Sequence, residues 1–291
     1  MTEPHRLRRL RIGEMLDRAV DVSVRNFPVL AAVYLVFSAP AEILPVLFNF
    51  RRVDLVQRIL DAVSQHGSNL PAEQLAPVGW IHFYHVALWL LAVYVRSALI
   101  VAVSARYLGK SASFGAAYRT ALRRLLPLVG IDLVYLAFLI LELVFAYALL
   151  VMLFATHFSP AAVTVAGFVC FVLLEVAVLA TLGTQIAYRA CLFESANVIG
   201  SIMMSVRRIL GEHRFTRSLF ASNAYAALVL TATIFSVLTE HEFFSSAIQS
   251  EIIRVAVKIL VSIASGILCA AFATTFYYDA RVRDDGVNLF S

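Results

Sequence analysis

The chain places a short basic amphipathic segment ahead of a pair of long apolar runs, and does so three times. The segments are RIGEMLDRAVDVSVRN from Arg11, SFGAAYRTALRR from Ser113 and NVIGSIMMSVRR from Asn197. A helix rising about 1.5 Å per residue crosses a hydrocarbon core of roughly 30 Å in about 20 residues. Six runs reach that length, at about 28–50, 80–105, 127–155, 160–187, 217–238 and 252–278. They are continuous, whereas barrel strands would alternate with period two in pieces of about ten residues. The expected fold is all-α: an integral membrane bundle of six transmembrane helices in a single membrane domain.

Composition supports a bilayer as the solvent. Of the 291 residues, 61% are hydrophobic and only 15% charged, against about 25% charged in a soluble domain. The net charge of +5 does not point to nucleic acid, because the basic residues gather at the ends of apolar runs. The N-terminal segment, the connections between spans two and three and between four and five, and the tail together hold 18 Lys and Arg. The opposite connections hold three: Arg51, Arg52 and Arg58. Positive charge marks the cytoplasmic side, so both termini are expected there. The first run starts too late and continues too long for a cleaved signal, so it reads as an uncleaved span.

The amphipathic segments read as helices lying in the cytoplasmic interface. Phe114, Ala117, Tyr118, Ala121, Leu122 and Leu125 make one helical face, with Arg119, Arg123 and Arg124 off it. Val198, Ile202, Val206 and Ile209 make another stripe, with Arg207 and Arg208 off it. These five arginines are the expected contacts to anionic lipid head groups. Ser113 and Asn197 occupy N-cap positions. Tyrosine–arginine pairs close each unit, at Arg106-Tyr107, Tyr188-Arg189 and Tyr277 to Arg281, and read as interfacial anchors. The units then run about 11–110, 111–194 and 195–291 as three parallel repeats, each an interfacial helix plus a transmembrane hairpin. Residues 51–79 read as an outer-surface amphipathic helix.

Ionisable residues within spans are expensive and usually face the bundle interior. Here they are Glu42, Arg96, Asp132, Glu142, Glu175 and Lys258. Arg96 is placed to pair with Glu142 or Glu175, Asp132 lies near enough to the cytoplasmic end to reach water, and Lys258 sits toward the outside. They form either an ion-pair network fixing helix register or a path for an ion, proton or anionic substrate. Ser262, Gly266, Ala270 and Thr274 put small residues on one face of the sixth span, where another helix can approach closely. His82 and His85, beside Trp80, read as interfacial residues. No HExxH, GxSxG, glycine fingerprint or Cys/His cluster occurs, so no metal, cofactor or enzymatic activity is expected.

LRIGEMLDRAVDVSVRNFPVL, RYLGKSASFGAAYRTALRRLLPLVG and TTFYYDARVRDDGVNL resemble a family of bacterial polytopic membrane proteins. That family is similar to the membrane domain attached to some glycerophosphodiester phosphodiesterases. The resemblance implies a six-helix domain of the bacterial cytoplasmic (inner) membrane. It does not carry over the phosphodiesterase activity, which resides in a separate soluble barrel. The expected role is a non-catalytic membrane module binding lipid, or a partner that is another membrane protein or a second copy of the chain. The alternative is a transporter or channel using Arg96, Glu142 and Glu175.

Overall fold

The computed structural model describes residues 10–47, 72–111, 113–211, 215–240 and 251–285. The described residues form nine helices and no strand. These are α1 (Ile12–Arg25), α2 (Phe27–Leu47), α3 (Ala72–Tyr107), α4 (Phe114–Arg123), α5 (Leu125–Ala155), α6 (Pro160–Phe193), α7 (Val198–Leu210), α8 (Phe215–Glu240) and α9 (Glu251–Asp285). Five are long and apolar enough to cross a membrane: α3 over Val86–Tyr107, all of α5 and α6, α8 over Phe215–Phe235 and α9 over Val255–Arg283. α1 and Phe27–Val36 of α2 reach that standard only as a pair, bent by 77°. Backbone polar groups have no water partners in lipid, and a helix satisfies them within one segment. The chain is a helical, multi-pass membrane protein.

The expected outer-surface helix of residues 51–79 lies mostly outside the described residues, although α3 already begins at Ala72. The side chains of Glu42, Trp80, His82 and His85 also lie outside them.

Short and long helices join through compact hinges. Asn26 separates α1 from α2 with φ −113° and ψ 12°, and Arg124 separates α4 from α5 with φ −112° and ψ 9°. Pro28 and Pro127 follow within the first turn of the next helix, where a missing N–H costs no helical hydrogen bond. α7 starts on Asn197, whose side chain accepts from the Gly200 N–H at 2.7 Å. Ser113 is the N-cap of α4 but makes no side-chain capping bond.

α9 is the centre of the packing, touching α1, α2, α3, α6, α7 and α8. Its small-residue face explains how two neighbours come so close. A Cβ on Gly266 would stand 2.7 Å from Cε2 of Tyr34 on α2, and the Tyr34 hydroxyl is 3.0 Å from Ser262 Oγ. One turn further along, Ala270 and Thr274 receive the Arg189 side chain of α6. The stripe thus serves packing within the chain.

The tyrosine–arginine ends do not form an exposed anchoring belt. Tyr107, Tyr188, Arg189, Tyr277 and Tyr278 are all buried. The ends of α3 and α9 converge, stacking the Tyr107 and Tyr278 rings 5.3 Å apart, while Arg18 of α1 donates to the Tyr107 hydroxyl at 3.3 Å. The C-terminal ends of α3 and α9 therefore meet α1 at one end of the bundle. By contrast, most of α5 and the first half of α6 project with their apolar side chains exposed, Leu143 at 70% and Phe168 at 68%.

Candidate functional site

Three polar centres and two cavities organise the bundle. Asp279 of α9 forms the first centre, with a side chain 0% exposed. It meets Arg217 of α8 at 2.5 Å and Arg283 at 2.8 Å, and accepts from the Leu10 backbone N–H at 2.6 Å. Arg217 also donates to the Leu10 carbonyl at 2.8 Å. One buried carboxylate is thus shared by two arginines and pins the start of the described chain to the end of α9.

The second centre joins α6, α7 and α9. Arg208 pairs with Glu194 at 2.8 Å and lies 4.9 Å over the Tyr277 ring, and the Tyr277 hydroxyl donates to Glu194. Burial opposes the Arg208 charge, but the Glu194 hydrogen bond and the fields of Tyr277 and Glu194 outweigh it, raising its pKa. This corrects the expectation that Arg208 contacts head groups. The inward face of α7 is Ser201, Ser205, Arg208 and Ile209, whereas Ile199, Met203 and Leu210 are exposed. A helix in an apolar setting can turn its polar face to the protein. Arg207, Arg119 and Arg123 are exposed, while Arg124 donates to Ser195 Oγ at 2.8 Å.

The third centre lies on α3, α5 and α6. Arg96 reaches Asp132 Oδ1 at 3.5 Å and lies 5.8 Å from the centroid of the Tyr188 ring. The Tyr188 hydroxyl donates to the same Asp132 oxygen at 2.6 Å. Asp132 is buried, not water-facing, because α3 and α6 close over the first two turns of α5. It also takes the place at Arg96 expected for Glu142 or Glu175. Glu142 Oε1 has no hydrogen-bond partner among the described residues, and Glu175 accepts from Asn223 Nδ2 at 3.0 Å. Among the described span charges Arg96 and Asp132 come together, while Glu142 and Glu175 do not join them.

Arg189 was absent from the expected site residues because its position at the end of an apolar run matched an anchor. It is 0% exposed. Its guanidinium donates to the Gln185 carbonyl at 2.5 Å, the Ala270 carbonyl at 2.8 Å and Thr274 Oγ1 at 3.0 Å, all of them neutral acceptors. The small residues four apart on α9 were the available signal, since they leave backbone carbonyls accessible to a long side chain.

Beside Arg96 lies a cavity of about 280 Å³, with Tyr34, Gln185, Tyr225 and Ser262 also in its wall. A second cavity of about 300 Å³ shares Tyr34, Ser262, Gly266 and Cys269 with it and is lined by Lys258. On the other side of α6 runs an apolar groove of about 690 Å³ between α5, α6, α7 and α8, lined by residues such as Phe138, Phe171, Ala180, Ile202 and Leu219. Among the described residues no group of three metal-ligating side chains occurs.

These features define a multi-pass helical membrane protein with a polar interior and a lateral apolar groove. No family model, curated protein or solved structure matches the chain.

Proposed function

We propose that the chain is a non-catalytic membrane module that holds an anionic phospholipid, with an acyl chain in the groove between α5, α6, α7 and α8. The groove carries this reading. It is almost wholly apolar and extends along α6 from Phe171 to Ala187, about 24 Å at 1.5 Å per residue. α7 crosses its inner end with Ile202, Val206 and Ile209 in the wall, and exposed Arg207 follows Val206 directly. An acyl chain matches the wall, and a phosphate matches the arginine.

The same proposal takes the chain as six spans in three parallel repeats. The near-identical dihedral angles at Asn26 and Arg124 and the proline in the first turn beyond each support a repeated elbow. It also takes the arginine-rich end of the bundle, with both termini, as cytoplasmic in a bacterial inner membrane. The resemblance to membrane domains of glycerophosphodiester phosphodiesterases fits a lipid-facing module.

The test is cross-linking in nanodiscs with phosphatidylglycerol carrying a photoactivatable acyl chain. The expected adducts map to α6 and α7 around Ala180 and Ile202, fall sharply in Ala180→Trp and weaken in Arg207→Ala. Adducts spread evenly over the exposed α5–α6 hairpin, unchanged by Ala180→Trp, would mean bulk lipid contact and defeat the proposal.

A further inference from the structure

Among the described residues, the charges beside the Arg96 cavity do not balance. Around the Arg96 cavity stand two guanidiniums, Arg96 and Arg189, and one carboxylate, Asp132. Arg189 is satisfied by hydrogen bonds but has no counter-charge among them. Asp132 is shared between Arg96 and the Tyr188 hydroxyl, and its contact to Arg96 is the longer of the two. Of the other described carboxylates, Asp279 serves Arg217 and Arg283, Glu194 serves Arg208, Glu175 lines the groove on the other side of α6, and Glu142 lies ten residues beyond Asp132 on α5, about 15 Å along the helix. An excess positive charge in a low-dielectric interior favours an anion strongly.

The geometry selects where that anion binds. Arg96 has a side chain 42% exposed although it lies within the bundle, and the space that exposes it is the 280 Å³ cavity. A guanidinium has five N–H donors in a planar fork suited to a carboxylate, and the long Asp132 contact occupies little of it. Gln185, whose carbonyl oxygen faces Arg189 at 3.4 Å, contributes an amide to the same wall. Leu88, Leu91 and Leu99 supply an apolar remainder. The adjoining cavity continues past Tyr34 and Ser262 to Lys258, placing a further cation along α9.

We propose that this cavity is a binding site for a small organic monocarboxylate, with its carboxylate on Arg96 and Gln185 and its apolar body against α3. One negative charge of that size offsets the local excess of Arg96 and Arg189 over Asp132 and fits the volume. The site lies across α6 from the lipid groove and does not depend on it.

The probe is hexanoate, added to the full chain in nanodiscs, with hexanamide as the neutral counterpart and inorganic phosphate as the competing anion. Titration calorimetry reads affinity, and modification of Cys269 by a small methanethiosulfonate reads occupancy, because Cys269 lines both cavities. Cys170→Ser removes the exposed thiol. The expected result is saturable hexanoate binding that slows Cys269 modification, with hexanamide weaker by at least about tenfold. Arg96→Gln should lose hexanoate binding while hexanamide binding is unchanged. The Cys269 readout needs no change at Arg96, so it decides the question even if that variant fails to fold. Equal protection by hexanamide, stronger protection by phosphate, or no protection by hexanoate would each overturn the proposal.

Discussion

The carboxylate of Asp279 accepts a 2.6 Å hydrogen bond from the backbone N–H of Leu10, a residue 269 positions earlier in the chain. Arg217 and Arg283 each reach both members of this pair, bonding the Asp279 carboxylate and the Leu10 carbonyl. The clasp connects the segment before α1 with α8 and α9. Asp279→Ala leaves two arginines without their shared counter-ion, a loss of about 3–5 kcal/mol for a buried pair. Asp279→Asn keeps an acceptor for Leu10 and should lose less. Unfolding in mild detergent, followed by protease cleavage before α1, is expected to rank wild type above Asn and Asn above Ala.

Arg189 should not tolerate lysine. Its planar fork bonds Gln185, Ala270 and Thr274 from one position, which a single ammonium cannot reproduce. Bonds to charged groups contribute about 1.5–3 kcal/mol each, so Arg189→Lys is expected to reduce the yield of monodisperse protein severely. Thr274→Val removes the two contacts from Nε and Nη2 to one hydroxyl but leaves the Gln185 and Ala270 carbonyls in place, so it should cost less. Size-exclusion profiles and melting temperatures of the two variants check the order.

Gly266→Ala introduces a Cβ into the Tyr34 ring, and overpacking of this kind costs about 1–3 kcal/mol. Tyr34→Leu alone also destabilises, through loss of the bond to Ser262. The double variant should recover part of the combined loss, because the clash disappears with the ring. Additive melting temperatures in this cycle would argue against close α2–α9 contact.

Adjacent arginines on α7 should behave oppositely. Arg208→Ala removes the Glu194 partner and is expected to lower stability by about 2 kcal/mol. Arg207→Ala, on the exposed face, should stay within about 0.5 kcal/mol and change only binding to anionic vesicles. Thermal unfolding alongside vesicle co-sedimentation separates the two effects.

Burial, and then the nearby Tyr94, push the Tyr118 phenol above its ordinary pKa. Its hydroxyl donates to the Val33 carbonyl. The neutral phenol is the form the fold favours, so its contribution is complete below the ordinary tyrosine value and declines as pH rises through the folded value. The stability advantage of wild type over Tyr118→Phe should therefore shrink in strongly alkaline buffer. An advantage that stays constant or grows there would contradict this placement.

Hydropathy alone located α3, α5, α6, α8 and α9, because an apolar run of that length has few other solvents. Asn197 was legible as a cap since its side chain acts within its own turn. The direction in which each amphipathic helix faces was not legible. Arg207 and Arg208 are both off the apolar stripe, yet only Arg208 enters the bundle. When lipid covers one side and protein the other, both sides accept apolar residues and periodicity loses its sense of inside. The pairing of Asp132 with Arg96 was not legible for a related reason: position along a span measures depth, while the partner depends on how α3 and α5 are rotated. The tyrosine–arginine ends were recognised as recurring, but their convergence on one another is a property of three helices together.

α9 comes after the other eight described helices in chain order, and it provides what several earlier ones need. Arg189 precedes its acceptor at Ala270 by 81 residues, which at about 5–20 residues per second is roughly 4–16 seconds of synthesis. Throughout that interval the newborn chain holds a buried-type cation with the Gln185 carbonyl at hand but its acceptors on α9 not yet made. A ribosome that stops early therefore releases a product marked by its own unquenched arginine, open to the quality-control machinery of the membrane. Completion of assembly is signalled from within, by the arrival of a row of small residues.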